Sequence, residues 1–149
     1  MIGFGDAVKM YFARYVDFQG RSSRAEYWWP ALFNFIIGAV FAILAIVTGG
    51  GVDAYMSNSL NTIGWVFYGV SALYGLATII PNIAVAVRRF HDRDMSGWWI
   101  LAFIAGFLIP LVNLLVIIGY IVLMCLPGTK GPNKFGQDPY GGMDVDAFD

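Results

Sequence analysis

Arg88-Arg89-Phe90-His91-Asp92-Arg93-Asp94-Met95-Ser96-Gly97-Trp98-Trp99 packs five formal charges and the chain's single histidine into one short stretch. Around it charge nearly vanishes. Upstream, between Glu26 and Arg88, the sole formal charge is Asp53, and downstream none appears until Lys130. A sequence that gathers its charges at a few points and leaves long runs bare suits hydrocarbon, where a charged side chain at mid-depth costs about 2.5 kcal/mol or more. The stretch therefore decides the fold class, an all-α membrane protein, and it marks one edge of that membrane.

Composition agrees. The 149 residues are 58% hydrophobic and 13% charged, against roughly 45–50% and about 25% in soluble chains. A soluble domain this apolar would expose a sticky surface, whereas a membrane protein has lipid to cover it. The net charge of −1 leaves no basic face of the kind that displaces counterions from many phosphates, so no nucleic-acid partner is expected. Cys125 is the single cysteine, which excludes an intramolecular disulfide. Its neighbours Val122-Leu123-Met124 and Leu126 include no cation to lower its pKa, so it reads as a small packing residue. Asp6, Lys9 and Arg14 deny the first sixteen residues the uncharged core of a signal peptide, and no cleavable leader is expected.

Residues 1–26 read as a cytoplasmic amphipathic helix followed by a basic turn. Phe4, Val8, Tyr11, Phe12 and Tyr15 recur at helical spacing, giving an aromatic face suited either to the headgroup layer or to docking on the protein's own bundle. Ser22 or Ser23 is placed to cap the first spanning helix. Residues 27–126 read as the membrane domain, with spans at about 27–47, 63–87 and 98–124. Tyr27, Trp28 and Trp29 begin the first with an aromatic girdle, and Pro30 falls in its opening turn, where a missing N–H costs little. Gly49-Gly50-Gly51 ends it.

Proline interrupts the second span at Pro81 and the third at Pro110. The 27 residues of the third would make a helix of about 40 Å at roughly 1.5 Å per residue, long enough to cross with tilt. The alternative is a broken or re-entrant pair, since the segments on either side of Pro110 cannot each cross; one kinked span is preferred. Residues 127–149 form a polar Gly/Pro-rich tail, extended and fraying after Tyr140.

Lys9, Arg14, Arg21 and Arg24 precede the first span, Arg88, Arg89 and Arg93 separate the second from the third, and Gly49–Thr62 has no basic residue. The positive-inside rule then puts the N-terminus and the 88–97 loop in the cytoplasm. A single third span sends the tail outside, against the pull of Lys130 and Lys134. A re-entrant third region returns it.

Each span holds one asparagine, Asn34, Asn82 and Asn113. All three read as interhelical polar contacts, and Asn34 and Asn82 fall at matching depth. No ionisable residue lies within any span, which argues against a proton-coupled carrier. Small residues repeat at four-residue spacing in Gly38/Ala42, Ser71/Gly75 and Ala102/Gly106, allowing close helix packing. His91 beside Asp92 invites a general-base reading, but no nucleophile partner or second histidine accompanies them. An edge cluster that grips lipid phosphate or a protein partner accounts more simply for Arg21, Arg24, Arg88, Arg89, His91, Asp92 and Arg93. No catalytic residue, metal site or cofactor is assigned. Gly128-Thr129-Lys130-Gly131 lacks the spacing and helix opening of a phosphate loop.

Three motifs stand at the span edges: Phe18-x-Gly20-Arg21-x-x-Arg24-x-Glu26-Tyr27-Trp28, then Arg88-Arg89-x-His91-Asp92-x-x-x-Ser96-Gly97-Trp98-Trp99, then Gly128-x-x-Gly131-x-Asn133-x-Phe135-Gly136-x-Asp138-Pro139. In order and spacing the chain resembles the small bacterial inner-membrane proteins grouped as domain of unknown function 805. Gln137 stands where a proline is frequent, and Arg93 where threonine is common. The resemblance implies a multi-pass helical protein of the bacterial inner membrane and brings no established catalytic residues. Together these readings point to a non-catalytic accessory or interaction protein that binds a larger membrane complex or anionic lipid at its cytoplasmic edge. A small transporter or channel, working as a homo-oligomer, is the alternative, and an enzyme using His91 and Asp92 ranks third.

Overall fold

Capping chemistry and apolar length set where the helices run. The computed structural model describes residues 2–141, so the expectation for 142–149 at the end of the tail lies outside the described residues. In order the helices are α1 (Phe4–Ala13), α2 (Arg24–Gly49), α3 (Gly51–Met56), α4 (Thr62–Asp92), α5 (Trp99–Phe107) and α6 (Asn113–Cys125). No strand occurs among the described residues. Among the described residues two helices, α2 and α4, are long and apolar enough to cross a membrane, with mean hydropathy of 2.5 and 1.8.

Ser23 opens α2. Its Oγ accepts the Glu26 N–H at 3.3 Å and donates to the Glu26 carboxylate at 3.2 Å, which satisfies one of the unpaired amides at a helix start. Because α2 begins at Arg24, Pro30 sits inside the helix rather than in its opening turn. The helix absorbs the loss, as long apolar helices do where neighbours re-satisfy a freed carbonyl. The same holds for Pro81. The expected interruption of the second span is not found, since α4 continues unbroken from Thr62 to Asp92.

The chain divides into two compact units. One comprises residues 31–80. There Gly49 and Gly64 let the α2 and α4 backbones touch: a Cβ added to Gly64 would lie 2.6 Å from the Gly49 Cα and 3.1 Å from the Ala45 carbonyl oxygen. Asn61 fixes the start of α4, its Oδ1 accepting the Gly64 N–H at 3.1 Å and its Nδ2 donating to the Thr48 carbonyl at 2.8 Å. Tyr74 donates its hydroxyl to Asn34 Oδ1 at 2.5 Å. Gly38 and Gly75, by contrast, face open space, where an added Cβ would meet no other element within 4 Å.

The other unit holds the rest of the described residues, 2–30 and 81–141. Tyr11, buried on α1, donates to Asn82 Oδ1 at 2.8 Å, so α1 docks by one face on α4 while Phe4 and Phe12 stay exposed. Beyond α4 the single kinked span is replaced by two helices. α5 has 9 residues and α6 has 13, about 14 and 20 Å at 1.5 Å per residue, and neither covers a core of roughly 30 Å. Pro110, and Leu111 at φ 73°, break the chain between them.

The two helices fold back antiparallel: Gly106 packs on Val116, and the Phe103 and Tyr120 rings lie edge to face at 5.3 Å. Phe90 on α4, fully buried, stacks on Phe103 at 5.7 Å, and Tyr27 bonds Tyr120 at 3.0 Å. A hairpin whose feet stand together thus follows α4, with the Arg93 guanidinium on the Pro127 carbonyl joining those feet at 2.5 Å.

Candidate functional site

The three edge motifs are distant in sequence and meet at Asp92. This carboxylate, with 0% of its surface exposed, receives two guanidiniums. Arg21 from the first motif reaches Oδ1 at 2.9 Å, and Arg89, one turn back on α4, bonds Oδ2. The remaining guanidinium hydrogens go to backbone carbonyls. Arg21 donates to Thr129 and Gly131, both at 2.5 Å. Arg89 donates to Met124 at 3.2 Å and to Leu126. Arg88 turns the other way, donating to Ser22 Oγ at 3.0 Å and to the Asp17 carbonyl. A charge buried this deeply is tolerated only when paired and hydrogen-bonded, and the knot meets both conditions.

The third motif is held by the end of α4. A helix leaves its last carbonyls without intrahelical donors, and the tail supplies them. The Thr129 N–H and hydroxyl both reach the Asp92 carbonyl, at 2.8 and 3.1 Å, and Asn133 Nδ2 reaches that of His91 at 2.9 Å. Asp138 closes the loop on itself, accepting the Gly131 and Tyr140 amides at 3.0 and 2.9 Å. Gly128 passes so close to the carboxylate that an added Cβ would collide with Asp92 Oδ2. The stretch expected to be an extended tail is an ordered cap through Tyr140.

His91 sits beside the knot, beyond the apolar stretch 63–87. Its Nδ1 lies 3.1 Å from the Gly20 carbonyl, so that nitrogen carries the proton and donates. The ring stacks on Phe135 with centroids 3.9 Å apart. Burial, reinforced by the Lys134 cation, holds its pKa below the ordinary 6.5, against the Gly20 hydrogen bond that favours protonation. The ring is therefore neutral at pH 7, and its Nε2 is an acceptor facing Gly97. At the far side of the cluster, the Gln19 amide and the Arg14 guanidinium hold the Asp17 carboxyl below its usual range.

These positions correct one expectation. Arg21, Arg88, Arg89 and Asp92 were expected to reach a lipid or a partner, yet they are 6%, 2%, 0% and 0% exposed and their polar atoms are engaged within the chain. Charge-assisted hydrogen bonds to a carboxylate and to fixed carbonyls offset the desolvation that the inward turn costs these cations. Arg24, His91 and Arg93 remain half-buried. Of the three asparagines, Asn34 and Asn82 each accept a tyrosine hydroxyl from another helix, whereas exposed Asn113 accepts the N–H of its neighbour Leu114 at 2.7 Å. Ser22, Thr129 and the carbonyls of residues 124–131 carry no sequence signal of their roles, whereas Tyr11 on the aromatic face and the third motif's Gly128 and Asn133 do.

Two hollows flank this region. One of about 350 Å³ lies between α4 and the α5–α6 hairpin, walled by Ile83, Phe103 and Val116, with Asn82 and Tyr120 its polar groups. The other, of about 560 Å³, lies at the foot of α5 beside His91. Among the described residues no group of three or more His, Cys, Asp or Glu could hold a metal ion.

Known proteins share this pattern. A family model described as "Protein of unknown function (DUF805)" matches residues 15–137, taking in the first two motifs whole and the third through Gln137. The chain is 37% identical over 125 residues to the inner membrane protein YhaI of Escherichia coli strain K12, covering 84% of this chain and 87% of that one. It is also 37% identical over 129 residues to the inner membrane protein YhaH of the same strain, covering 84% and 88%. No solved structure matches.

Proposed function

The chain belongs to the DUF805 family, and from that premise we propose that it is a multi-pass inner-membrane protein acting as a non-catalytic interaction protein at the cytoplasmic edge. One observation carries this: the Asp92 carboxylate and the Arg21 and Arg89 guanidiniums, from the first two motifs, are spent on one another and on carbonyls of the third. Groups so consumed cannot serve as acid, base or nucleophile. What they do is clamp the N-terminal segment, the end of α4 and the tail into one polar cap.

In this reading α2 and α4 span and α5–α6 enters and returns. All nine lysines and arginines then lie on one side, the arrangement that the positive-inside rule favours for the cytoplasm. The partner is a larger membrane complex or anionic lipid, engaged by the side chains at the margin of the knot: Arg24, His91, Arg93, Lys130 and Lys134.

The test is side-specific labelling. With Cys125→Ser as background, Lys134→Cys should react with an impermeant maleimide only after the cytoplasmic face is opened, and labelling from outside would overturn the topology. Purification in mild detergent tests the role, with a stoichiometric co-purifying protein or tightly held anionic lipid expected.

The hollow beside Asn82 and the short hairpin favour a second reading, a small oligomeric transporter or channel, because broken helices are where transporters place their sites. A homo-oligomer with an aqueous central path would promote it over the first.

A further inference from the structure

The hollow at the foot of α5 differs in chemistry from the knot beside it. Its volume, about 560 Å³, falls within the roughly 300–1,000 Å³ usual for ligand pockets. The floor is apolar, made by Val87, Ile100 and Leu101, and the aromatic rings of Phe18, Trp98 and Phe135 stand around it. Two polar side chains line it, His91 and Ser96. Trp98 is largely exposed at its rim, as tryptophans are at headgroup depth. An apolar floor at that depth continues into the acyl layer, so the occupant is an amphiphile rather than a soluble anion.

The polar groups specify its head. His91 Nδ1 is committed to the Gly20 carbonyl, which leaves Nε2, on the Gly97 side of the ring, as an acceptor for a hydroxyl. Ser96 Oγ takes the Trp98 N–H at 3.4 Å, so its own proton is free to be donated to a phosphate oxygen. Lys134 supplies a cation nearby, with its Nζ 5.1 Å from the centre of the Phe135 ring that covers His91. Asp94, 3.6 Å from that Nζ, only partly neutralises it, both side chains being exposed.

We propose that this hollow seats one anionic phospholipid with a hydroxyl-bearing head, its phosphate on Ser96 and Lys134, its hydroxyl on His91 Nε2, and an acyl chain along Val87, Ile100 and Leu101. The seat rests on the edge-binding role proposed above and gives it an address outside the buried knot. Selectivity follows from the same contacts. Phosphatidylglycerol satisfies all of them, whereas phosphatidylcholine offers neither a hydroxyl nor a net negative charge.

The experiment is native mass spectrometry of the full chain in detergent micelles doped with equal amounts of phosphatidylglycerol and phosphatidylcholine. One phosphatidylglycerol should be retained in preference. His91→Phe keeps the stacking on Phe135 but removes the acceptor, and should lower that retention roughly fivefold, the worth of one hydrogen bond. Ser96→Trp, at an exposed loop position, fills the hollow without touching the knot and should abolish the preference. It decides the matter if His91→Phe fails to fold by circular dichroism.

Equal retention of phosphatidylglycerol by the wild type and by folded Ser96→Trp overturns the seat while leaving lipid binding at the edge intact. Failure of the wild type to hold either lipid overturns both the seat and the lipid role. Displacement of the bound lipid by millimolar soluble glycerol phosphate would show that the head alone binds, and would refute the acyl-layer argument.

Discussion

Asp92→Ala is the sharpest perturbation of the polar cap. It deletes the shared counter-ion and strands Arg21 and Arg89, whose side chains are 1% and 0% exposed. Breaking a buried ion pair from one side costs about 3–5 kcal/mol, because the remaining charge stays buried and uncompensated. Here two cations are stranded, but each keeps backbone carbonyl acceptors, which draws the expected loss back to about 4 kcal/mol rather than doubling it. For a chain this long, about 2–4 °C per kcal/mol gives a fall in unfolding temperature of roughly 10 °C. Thermal unfolding of the detergent-solubilised protein, followed by far-ultraviolet circular dichroism, reads this directly. Asp53→Ala, at an exposed carboxylate on α3, serves as the control and should shift stability by no more than about 0.5 kcal/mol. The pairing logic adds a second demand. Removing all three charges together, Asp92→Leu with Arg21→Met and Arg89→Met, should recover at least half of the loss, since nothing charged is then left buried. An Asp92→Ala protein as stable as the wild type, or a triple variant weaker than the single one, would refute the account of the knot.

Gly128→Ala drives a methyl into Asp92 Oδ2 and forces the carboxylate off its guanidiniums. It should cost about 1–3 kcal/mol by overpacking in the same melt, and should be less than additive with Asp92→Ala. Gly64→Ala sets a Cβ 2.6 Å from the Gly49 Cα, backbone that cannot yield as a side chain would. It should destabilise the protein by a similar amount, checked by thermal unfolding, while Gly38→Ala, with open space around it, is neutral or slightly stabilising. His91 has a folded-state pKa below its ordinary 6.5, so the unfolded chain binds the proton first as pH falls. Stability from this group is complete above about pH 6.5 and declines below it, and melts between pH 7.5 and 5.5 should show the decline in the wild type and its reduction in His91→Gln.

The helical membrane class is plain in the sequence because hydrocarbon leaves a compositional imprint: bare apolar runs bounded by aromatic and charged residues. The motifs are legible too, as the places where polar residues cluster. Their meeting is not. Arg88 at the end of an apolar run looks the same whether it faces phosphate or turns inward, and the acceptors that turn it inward are mainly carbonyls of Asp17 and Arg14, which every residue possesses. Thr129 and Gly131 hold Arg21 through their backbone oxygens, unseen for the same reason. The hairpin is hidden otherwise. Pro110 announces a break, but the reversal depends on Leu111 adopting φ 73°, a conformation that leucine seldom takes and no pattern foretells. Pro81 misleads in the opposite direction, since a proline advertises a break that a long helix can absorb.

Asp92 also imposes an order in time. The acceptors that complete Arg21 and Arg89 lie between residues 124 and 131, and the ribosome makes them only after α2 and α4. A nascent chain therefore carries two long apolar helices through insertion with its arginine edge still open, and closes it when the last motif emerges. A chain cut short before Gly128 would keep its apolar helices and display an unsatisfied cationic edge, a visible mark of incomplete synthesis for any protease that surveys that edge.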